Sequence, residues 1–256
     1  MIDLHIENDT AEIVLNNPQA RNALAEADLK DLSAAYTEAE VRGVRALILR
    51  GQGKGFCAGR NIRGVVPAED DATDYLANKV TPVLKQMSNF PAPTFAAVQG
   101  ACLGVGLGLV IATDIVYVAE DARFGSPFAN LGATLDSGGH ALFFERLGAH
   151  RAMDLIVTGD LLSGAEAVQA GLFSRAIPAD QLLEVTREAA HKAATGATRA
   201  FLTSRALIQD LRDQRVGLWE SVEKENIAQG ELCSSADYAE GFAAFNEKRT
   251  PVFAGR

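Results

Sequence analysis

The chain has 256 residues, of which 48% are hydrophobic and 23 are glycines, enough to bury one sizeable core or a core with an appendage. Its net charge of -9 argues against a nucleic-acid-binding surface, and its three cysteines and four histidines form neither a disulfide framework nor a metal-binding motif. The first residues lack the basic start and apolar run of a signal peptide, so we expect a soluble, cytoplasmic protein.

Strand-like and helical patterns alternate along the first two thirds of the chain. The strand-like runs are residues 2–6, 11–15, 46–50, 94–99 and 115–119. The helical patterns between and after them are residues 25–43, 148–159 and 163–172. This order predicts an α/β fold with crossover connections between parallel strands.

One long stretch, residues 86–113, contains no Asp, Glu, Lys or Arg. It also contains two prolines and four glycines, which a membrane-spanning helix would hardly carry. We therefore predict a buried strand, a turn and a short buried helix here, and no membrane association.

After about residue 178 the strand patterns stop and consecutive helical patterns follow. We predict two units. Residues 1–195 form the α/β core that carries the active site. Residues 196–256 form a helical appendage that packs on the core or on a neighbouring subunit.

Two segments share one pattern, a buried strand followed by a glycine-rich loop and a helix start. They are RALILRGQGKGFCAGRNI (45–62) and PTFAAVQGACLGVGLGL (93–109). Helix starts present unpaired N–H groups, so two such loops side by side would form an oxyanion hole. Two alternatives are tight packing alone and a dinucleotide-binding loop, although Gly104, Gly106 and Gly108 do not have the G-x-G-x-x-G spacing.

Asp136 is the only charged residue before Glu145 in the apolar, glycine-rich stretch 129–145. It could cap a helix that starts near Ser137, or it could move protons. Burial among Phe128, Leu131 and Leu135 would raise its pKa, as a proton-moving group requires. These residues by themselves leave both interpretations open.

Four motifs identify a resemblance that covers the chain nearly end to end. FCAGRNI (56–62), AAVQGACLGVGLGLVIATDIVYVAEDARFG (96–125), LSGAEAVQAGL (162–172) and SADYAEGFAAFNEKRTPVF (235–253) resemble the crotonase (enoyl-CoA hydratase/isomerase) superfamily. The resemblance implies a crotonase-like spiral of ββα units with a C-terminal α-helical region. It also implies assembly as a homotrimer or homohexamer, and an acyl-CoA substrate with coenzyme A as part of the substrate and no permanently bound cofactor.

The same resemblance assigns the oxyanion hole to the backbone N–H groups of Arg60 and Val105, flanked by Ala58 and Gly104. Many relatives have glycine at the position of Val105, but only the N–H is needed there. Relatives usually have aspartate where Asn61 stands, and asparagine can also cap a helix.

The catalytic positions depart from the hydratase pattern. The two glutamates of typical hydratases would fall at Gly108 and Phe128, which cannot move a proton. The position of Asp136 instead resembles that of the catalytic aspartate in enoyl-CoA isomerases of phenylacetate degradation. It also resembles the nucleophilic aspartate of 4-chlorobenzoyl-CoA dehalogenases, but their tryptophan and histidine would fall at Phe128 and Thr81.

Residues for the coenzyme A end are implied in the same way. Arg21 and Ala23 lie in PQARNAL, and Arg63 follows the first glycine-rich loop. Phe245 and Lys248, in FNEK, resemble a pair that covers the adenine and the ribose phosphate, often from a neighbouring subunit. The alternatives are solvated surface charges for the arginines and ordinary helix packing for Phe245.

We therefore expect an acyl-CoA isomerase that uses Asp136 as its acid/base group. An enoyl-CoA hydratase with an altered acid/base set and a non-catalytic acyl-CoA-binding subunit remain as alternatives. We expect residues 64–90 to line the acyl pocket.

Overall fold

A computed structural model of the protein describes residues 1–66 and 68–256. Its strands are β1 (Ile2–Glu7), β2 (Thr10–Leu15), β3 (Ala46–Gly51), β4 (Thr94–Val98), β5 (Ala101–Leu103), β6 (Ile115–Ala119), β7 (Arg123–Gly125), β8 (Leu162–Ser163) and β9 (Arg175–Ile177). Its α-helices are α1 (Glu26–Val41), α2 (Ala72–Asp74), α3 (Thr81–Ser88), α4 (Val105–Ile111), α5 (Gly139–Thr158), α6 (Gly164–Gln169), α7 (Leu182–Ala194), α8 (Thr198–Asp213), α9 (Leu218–Leu232) and α10 (Ala236–Glu247). A π-helical stretch (Tyr75–Val80) joins α2 to α3, and 3₁₀ helices cover Pro18–Ala20 and Phe128–Leu131.

A six-stranded sheet in the order β1-β2-β3-β4-β6-β9 organises the molecule. Only the β1–β2 pair is antiparallel, and the other neighbours run parallel. The register of β3 and β4 pairs Leu49 with Ala96 and Arg50 with Ala97, so both strands end at the same edge. The glycine-rich loops that follow them therefore start side by side.

The core forms where apolar strands are covered on both faces. Leu47, Ile48 and Leu49 of β3 are almost completely buried, as is the whole of β4. Strands buried on both faces are continuously apolar rather than alternating, which explains their composition. Helix α7 packs on β3 and β4, and α1 packs against β1 and β2.

The five predicted strands are present, each within one residue of the predicted bounds at either end. Four further strands, β5, β7, β8 and β9, have only two or three residues, too few to show a pattern. The helix predicted from residue 148 begins earlier, at Gly139, and is kinked at Gly148, whose φ is 75°.

Only helices occur among the described elements after Ile177, as predicted. Helices α8 and α9 pack on each other and leave large apolar side chains exposed, including Trp219 at 76%. No helix in the described ranges is long and apolar enough to cross a membrane.

Candidate active site

The loop after β3 is attached to the segment after β4 by backbone hydrogen bonds. The Phe56 and Cys57 N–H groups donate to the Ala101 carbonyl at 3.1 and 3.0 Å, and the Leu103 N–H donates to the Cys57 carbonyl at 2.9 Å. These bonds hold the two glycine-rich segments, residues 51–61 and 100–106, against each other. We call them the first and second donor loops.

The segment before α1 supports the first donor loop from its other side. The Ala58 N–H donates to the Arg21 carbonyl at 3.0 Å, and the Leu24 N–H donates to the Gly59 carbonyl at 2.8 Å. With the loop fixed on both sides, the N–H of Arg60 has no acceptor among the described residues.

The second donor loop turns into α4 at Gly104. This residue is the N-cap of α4 with φ 53° and ψ -121°, a conformation that favours glycine. Val105 is the first helical residue, so its N–H has no acceptor within the helix. A Cβ added to Gly59 would lie 3.6 Å from the Val105 nitrogen, which shows how closely the two loops approach.

The structure therefore brings the unpaired N–H groups of Arg60 and Val105 to neighbouring positions. Two such donors aimed at one oxygen are the geometric requirement for an oxyanion hole. In the second loop the free donor arises from a helix start, as the sequence predicted.

In the first loop that expectation was wrong. No helix starts at Arg60 or Asn61, and Ala72 is the next residue found in a helix in the described ranges. The donor is instead left free by the isolated parallel bridge between Arg60 and Leu24. The Asn61 side chain accepts from the Arg63 N–H at 3.1 Å, so it stabilises a turn rather than capping a helix.

The position of Asp136 distinguishes between its two interpretations. Helix α5 begins at Gly139, and its N-cap is Gly138, with no side-chain cap. Only the backbone carbonyl of Asp136 takes part in this turn, accepting from the Gly139 N–H at 2.9 Å. The side chain is half-buried, and its Oδ1 is fully buried with no partner among the described residues. Asp136 is therefore not a helix cap.

The environment of Asp136 favours its protonated form. Burial raises its pKa above the ordinary value of 3.8. The charge of Arg60 and the neighbouring Ser137 hydroxyl, which makes no hydrogen bond of ordinary geometry, offset part of the rise. Burial prevails because no hydrogen bond of ordinary geometry reaches the buried Oδ1. Leu135 is buried and Phe128 half-buried, as expected, but Leu131 is 62% exposed and does not help to bury the carboxylate.

Ser137 occupies the space beside Gly108, where the resemblance would place a hydratase glutamate. A Cβ added to Gly108 would overlap the Ser137 Cβ and lie 3.2 Å from its hydroxyl oxygen. Ser137 has a left-handed backbone with φ 53°. A longer side chain at Gly108 could not enter without moving this loop.

We expect Gly108→Ala to destabilise the protein, since overpacking a filled site costs about 1–3 kcal/mol. That cost corresponds to a melting temperature about 2–4 °C lower for each kcal/mol in a domain of this size. Gly230→Ala in α9 is the matched control, because an added Cβ there meets no atom within 4 Å. Thermal unfolding checks both variants, and equal shifts would contradict a filled site at Gly108.

Phe128, at the position of the second hydratase glutamate, lies against the second donor loop. A Cβ added to Gly104 would lie 3.1 Å from the Phe128 Cζ atom. Both positions that carry carboxylates in typical hydratases are thus filled by other groups, an apolar ring and the Ser137 side chain.

The structure adds site residues that the sequence did not single out. The Arg60 guanidinium donates to both carboxylate oxygens of Asp70 at 2.8 and 2.6 Å, and it lies 4.0 Å from the centroid of the Tyr75 ring. Asp70 and Tyr75 lie in the predicted pocket segment 64–90, of which Pro67 is outside the described residues. No local sequence pattern indicates Asp70 or Tyr75 as a site residue, because their contacts with Arg60 form only after folding.

The residues predicted for coenzyme A fall in two places. Arg21, Ala23 and Arg63 lie beside the first donor loop, and the side chains of Arg21 and Arg63 are exposed. Phe245 and Lys248 lie at the end of α10, and Phe245 is 82% exposed, so it does not pack within this chain. No described hydrogen bond joins α10 to the donor loops.

The thiols near the site are structural. Burial raises the pKa of Cys57 to about 12, and its sulfur accepts from the Gly59 N–H at 3.4 Å. A neutral, buried thiol is a poor nucleophile. Across the described ranges, no cluster of three or more His, Cys, Asp or Glu is placed to hold a metal ion.

Comparisons with known proteins agree over almost the whole chain. The family model for enoyl-CoA hydratase/isomerase matches residues 5–256. A Bacillus subtilis protein named probable enoyl-CoA hydratase is 35% identical, covering 99% of this chain and 98% of the relative. An Escherichia coli protein named 1,2-epoxyphenylacetyl-CoA isomerase is 30% identical, covering 98% and 97%. The crystal structure of enoyl-CoA hydratase subunit I from Geobacillus kaustophilus superposes with a TM-score of 0.90 at 31% identity, covering 100% and 98%.

Proposed function

This chain belongs to the enoyl-CoA hydratase/isomerase family, and we propose that within the family it shifts the double bond of an unsaturated acyl-CoA. The predicted crotonase-like α/β fold and the prediction of an enzyme of this family are confirmed. The isomerase activity, the roles of individual residues and the bound state of coenzyme A are proposals.

In the proposed reaction the thioester carbonyl sits between the N–H groups of Arg60 and Val105. The Asp136 carboxylate removes a proton from the acyl chain, and the electrons of the broken C–H bond move to the carbonyl oxygen as an enolate. The donors bind this charge more tightly than the neutral carbonyl, so they lower the barrier. Protonated Asp136 then returns the proton two carbons along the chain and is regenerated as a carboxylate.

The observation that carries this proposal is that a single carboxylate lies on the loop packed against α4, with a buried, unpaired oxygen. The two glutamates with which a typical hydratase activates water are absent from this chain, because Gly108 and Phe128 stand at their positions. One carboxylate suffices for an isomerase because it accepts and donates the same proton in turn.

We expect kcat/KM to rise with pH and then level off, with a midpoint above 3.8, because only ionised Asp136 accepts a proton and burial raises its pKa. At pH values between the pKa of Asp136 in the unfolded chain and its higher pKa in the folded protein, the carboxyl group is protonated mainly in the folded state. The contribution of Asp136 to the free energy of unfolding therefore falls as pH rises through that window. A pH–rate profile checks the expected rise of kcat/KM with pH. Unfolding measured as a function of pH checks the expected fall in the contribution of Asp136 to stability. A wild-type rate that stays constant down to pH 3.8 would contradict the assignment.

The test of function uses trans-3-hexenoyl-CoA in ¹⁸O-labelled water. We expect 2-hexenoyl-CoA to form without incorporation of labelled oxygen, as followed by mass spectrometry. A hydratase without isomerase activity would leave this ester unchanged, because water adds at C3 only in a 2-enoyl ester, and it would instead add labelled oxygen to crotonyl-CoA. Tight ester binding with no turnover on any ester would indicate a non-catalytic subunit.

A hydratase with an altered acid/base set is the second candidate. It is favoured by the Bacillus subtilis relative, which is named a probable enoyl-CoA hydratase, whereas the Escherichia coli relative is named an isomerase. Crotonyl-CoA in labelled water separates the two activities, since hydration adds oxygen and isomerisation only exchanges carbon-bound hydrogen.

For the coenzyme A end we propose that Arg21, Ala23 and Arg63 line the path of the cofactor and that Phe245 and Lys248 cover its adenine in a neighbouring subunit. The exposure of Phe245 supports this, because its own chain leaves most of the apolar ring uncovered. We also propose that residues 1–195 form the catalytic core and residues 196–256 the assembly region of a homotrimer or homohexamer. Apolar side chains exposed on α8 and α9 support that assignment.

A further inference from the structure

Buried polar atoms without partners are concentrated at the candidate site. They are Tyr75 Oη, Asp136 Oδ1 and Ser137 Oγ, and only two more occur in the described ranges, Thr10 Oγ1 and Tyr36 Oη. Nearly all buried polar groups in proteins are hydrogen-bonded, to protein or to water. Three unpaired groups at one site therefore indicate a binding site in which a ligand or water supplies the missing hydrogen bonds.

Tyr75 is fixed beside the first donor loop. It is 8% exposed, and the Arg60 guanidinium over its ring is itself held by Asp70. Burial raises the pKa of Tyr75 to about 12; the charge of Arg60 lowers it in part, and the charge of Asp136 raises it further. The phenol thus stays neutral at physiological pH and acts only as a hydrogen-bonding group, within the electrostatic reach of Asp136.

Ser137 places a second hydroxyl beside α4, on the loop that carries Asp136. Its backbone is in the left-handed region, which costs free energy for a residue with a Cβ and is concentrated at functional sites. Its side chain packs against Gly108 of α4, and its hydroxyl is buried and unpaired. The site thus holds two buried hydroxyls without partners in addition to the carboxylate that we assign as the base.

The chemistry of these groups selects the kind of atom they bind. Each hydroxyl can donate a hydrogen bond to an acceptor oxygen. Ionised Asp136 repels an anionic oxygen, and Arg60, the cation whose charge acts on Asp136, is paired with Asp70. A neutral oxygen, such as that of a ketone, a hydroxyl or an ether, can accept from these hydroxyls without being repelled by Asp136.

We propose that the Tyr75 and Ser137 hydroxyls bind a neutral oxygen on the acyl group, so that the enzyme prefers oxygen-bearing acyl-CoA esters to hydrocarbon ones. This inference rests on the proposed function for the location of the acyl group. A hydrocarbon chain displaces water from the two hydroxyls and leaves them unpaired. Sites built to bind a polar group strongly reject the analogue that lacks it.

The test measures binding of saturated esters, which have no double bond to shift. Hexanoyl-CoA is compared by titration calorimetry with its 3-oxo, 4-oxo and 5-oxo derivatives. We expect at least one oxo ester to bind about tenfold or more tightly than hexanoyl-CoA, as the loss of one buried hydrogen bond implies. Tyr75→Phe and Ser137→Ala should each reduce that preference severalfold, while hexanoyl-CoA affinity holds or rises.

Tyr36→Phe is the matched control, because it removes another buried, unpaired phenol that packs on Phe90 in the core. It should leave the preference unchanged. Equal affinity for all four esters in the wild type, or a preference that survives in Tyr75→Phe, overturns the inference. Failure of the isomerase proposal is distinguishable, since it would appear as absent double-bond migration with the binding preference intact.

Discussion

Asp136→Asn is expected to lower kcat for double-bond migration by about 10²- to 10⁴-fold, the usual contribution of a positioned acid/base group. Asparagine has nearly the same size but cannot accept the substrate proton. KM should change little, because the proposed contact of Asp136 is with the reacting carbons and not with coenzyme A. Steady-state kinetics with trans-3-hexenoyl-CoA measures both constants.

The variant should also be at least as stable as the wild type at neutral pH. Burial raises the pKa of Asp136, so the ionised form costs stability that a neutral amide does not. Asp121→Asn, at an exposed position, serves as a control that keeps activity and stability. Wild-type turnover in Asp136→Asn would remove this residue from the mechanism.

Val105→Pro is expected to lower kcat by about 10²- to 10³-fold, the cost of removing one oxyanion donor, equivalent to about 3–4 kcal/mol. Proline lacks the N–H, yet it is well tolerated at the first position of a helix, where the N–H makes no intrahelical bond. Val105 occupies that position in α4. The substitution thus removes the donor and leaves the helix geometry in place.

Val105→Ala is the matched control for the donor. It also removes the buried valine side chain, but it keeps the backbone N–H, so it should lose stability without a comparable loss of kcat. Circular dichroism and thermal unfolding verify that the proline variant is folded. If a folded Val105→Pro enzyme turns over as fast as Val105→Ala, the Val105 N–H does not stabilise the enolate.

Much of the fold could be predicted because its signals are local. The apolar strands β3 and β4 are continuous in sequence, and the helical spacing of α1 ends before Gly43, which has a positive φ of 66°. The short strands β5 and β7 could not be predicted, because three residues carry no periodicity. They are extended through pairing with each other and, for β7, also with β8.

For the candidate site, the sequence indicated both donor loops and Asp136, since glycine spacing and a lone carboxylate can be seen in the chain itself. It misplaced the origin of the first donor, which depends on the bridge between Arg60 and Leu24, 36 residues apart in numbering. It also left open whether Asp136 caps a helix, because the start of α5 at Gly139 depends on packing around it.

The sequence by itself determined the strand order along the chain, the two glycine-rich loops and the loss of both hydratase glutamates. The tertiary structure alone decided that Ser137 fills the space beside Gly108 and that Tyr75 keeps a buried, unpaired hydroxyl beside the first donor loop. The reason is physical: backbone propensity acts over a few neighbouring residues, whereas steric exclusion, desolvation and hydrogen-bond pairing depend on atoms that only folding brings together.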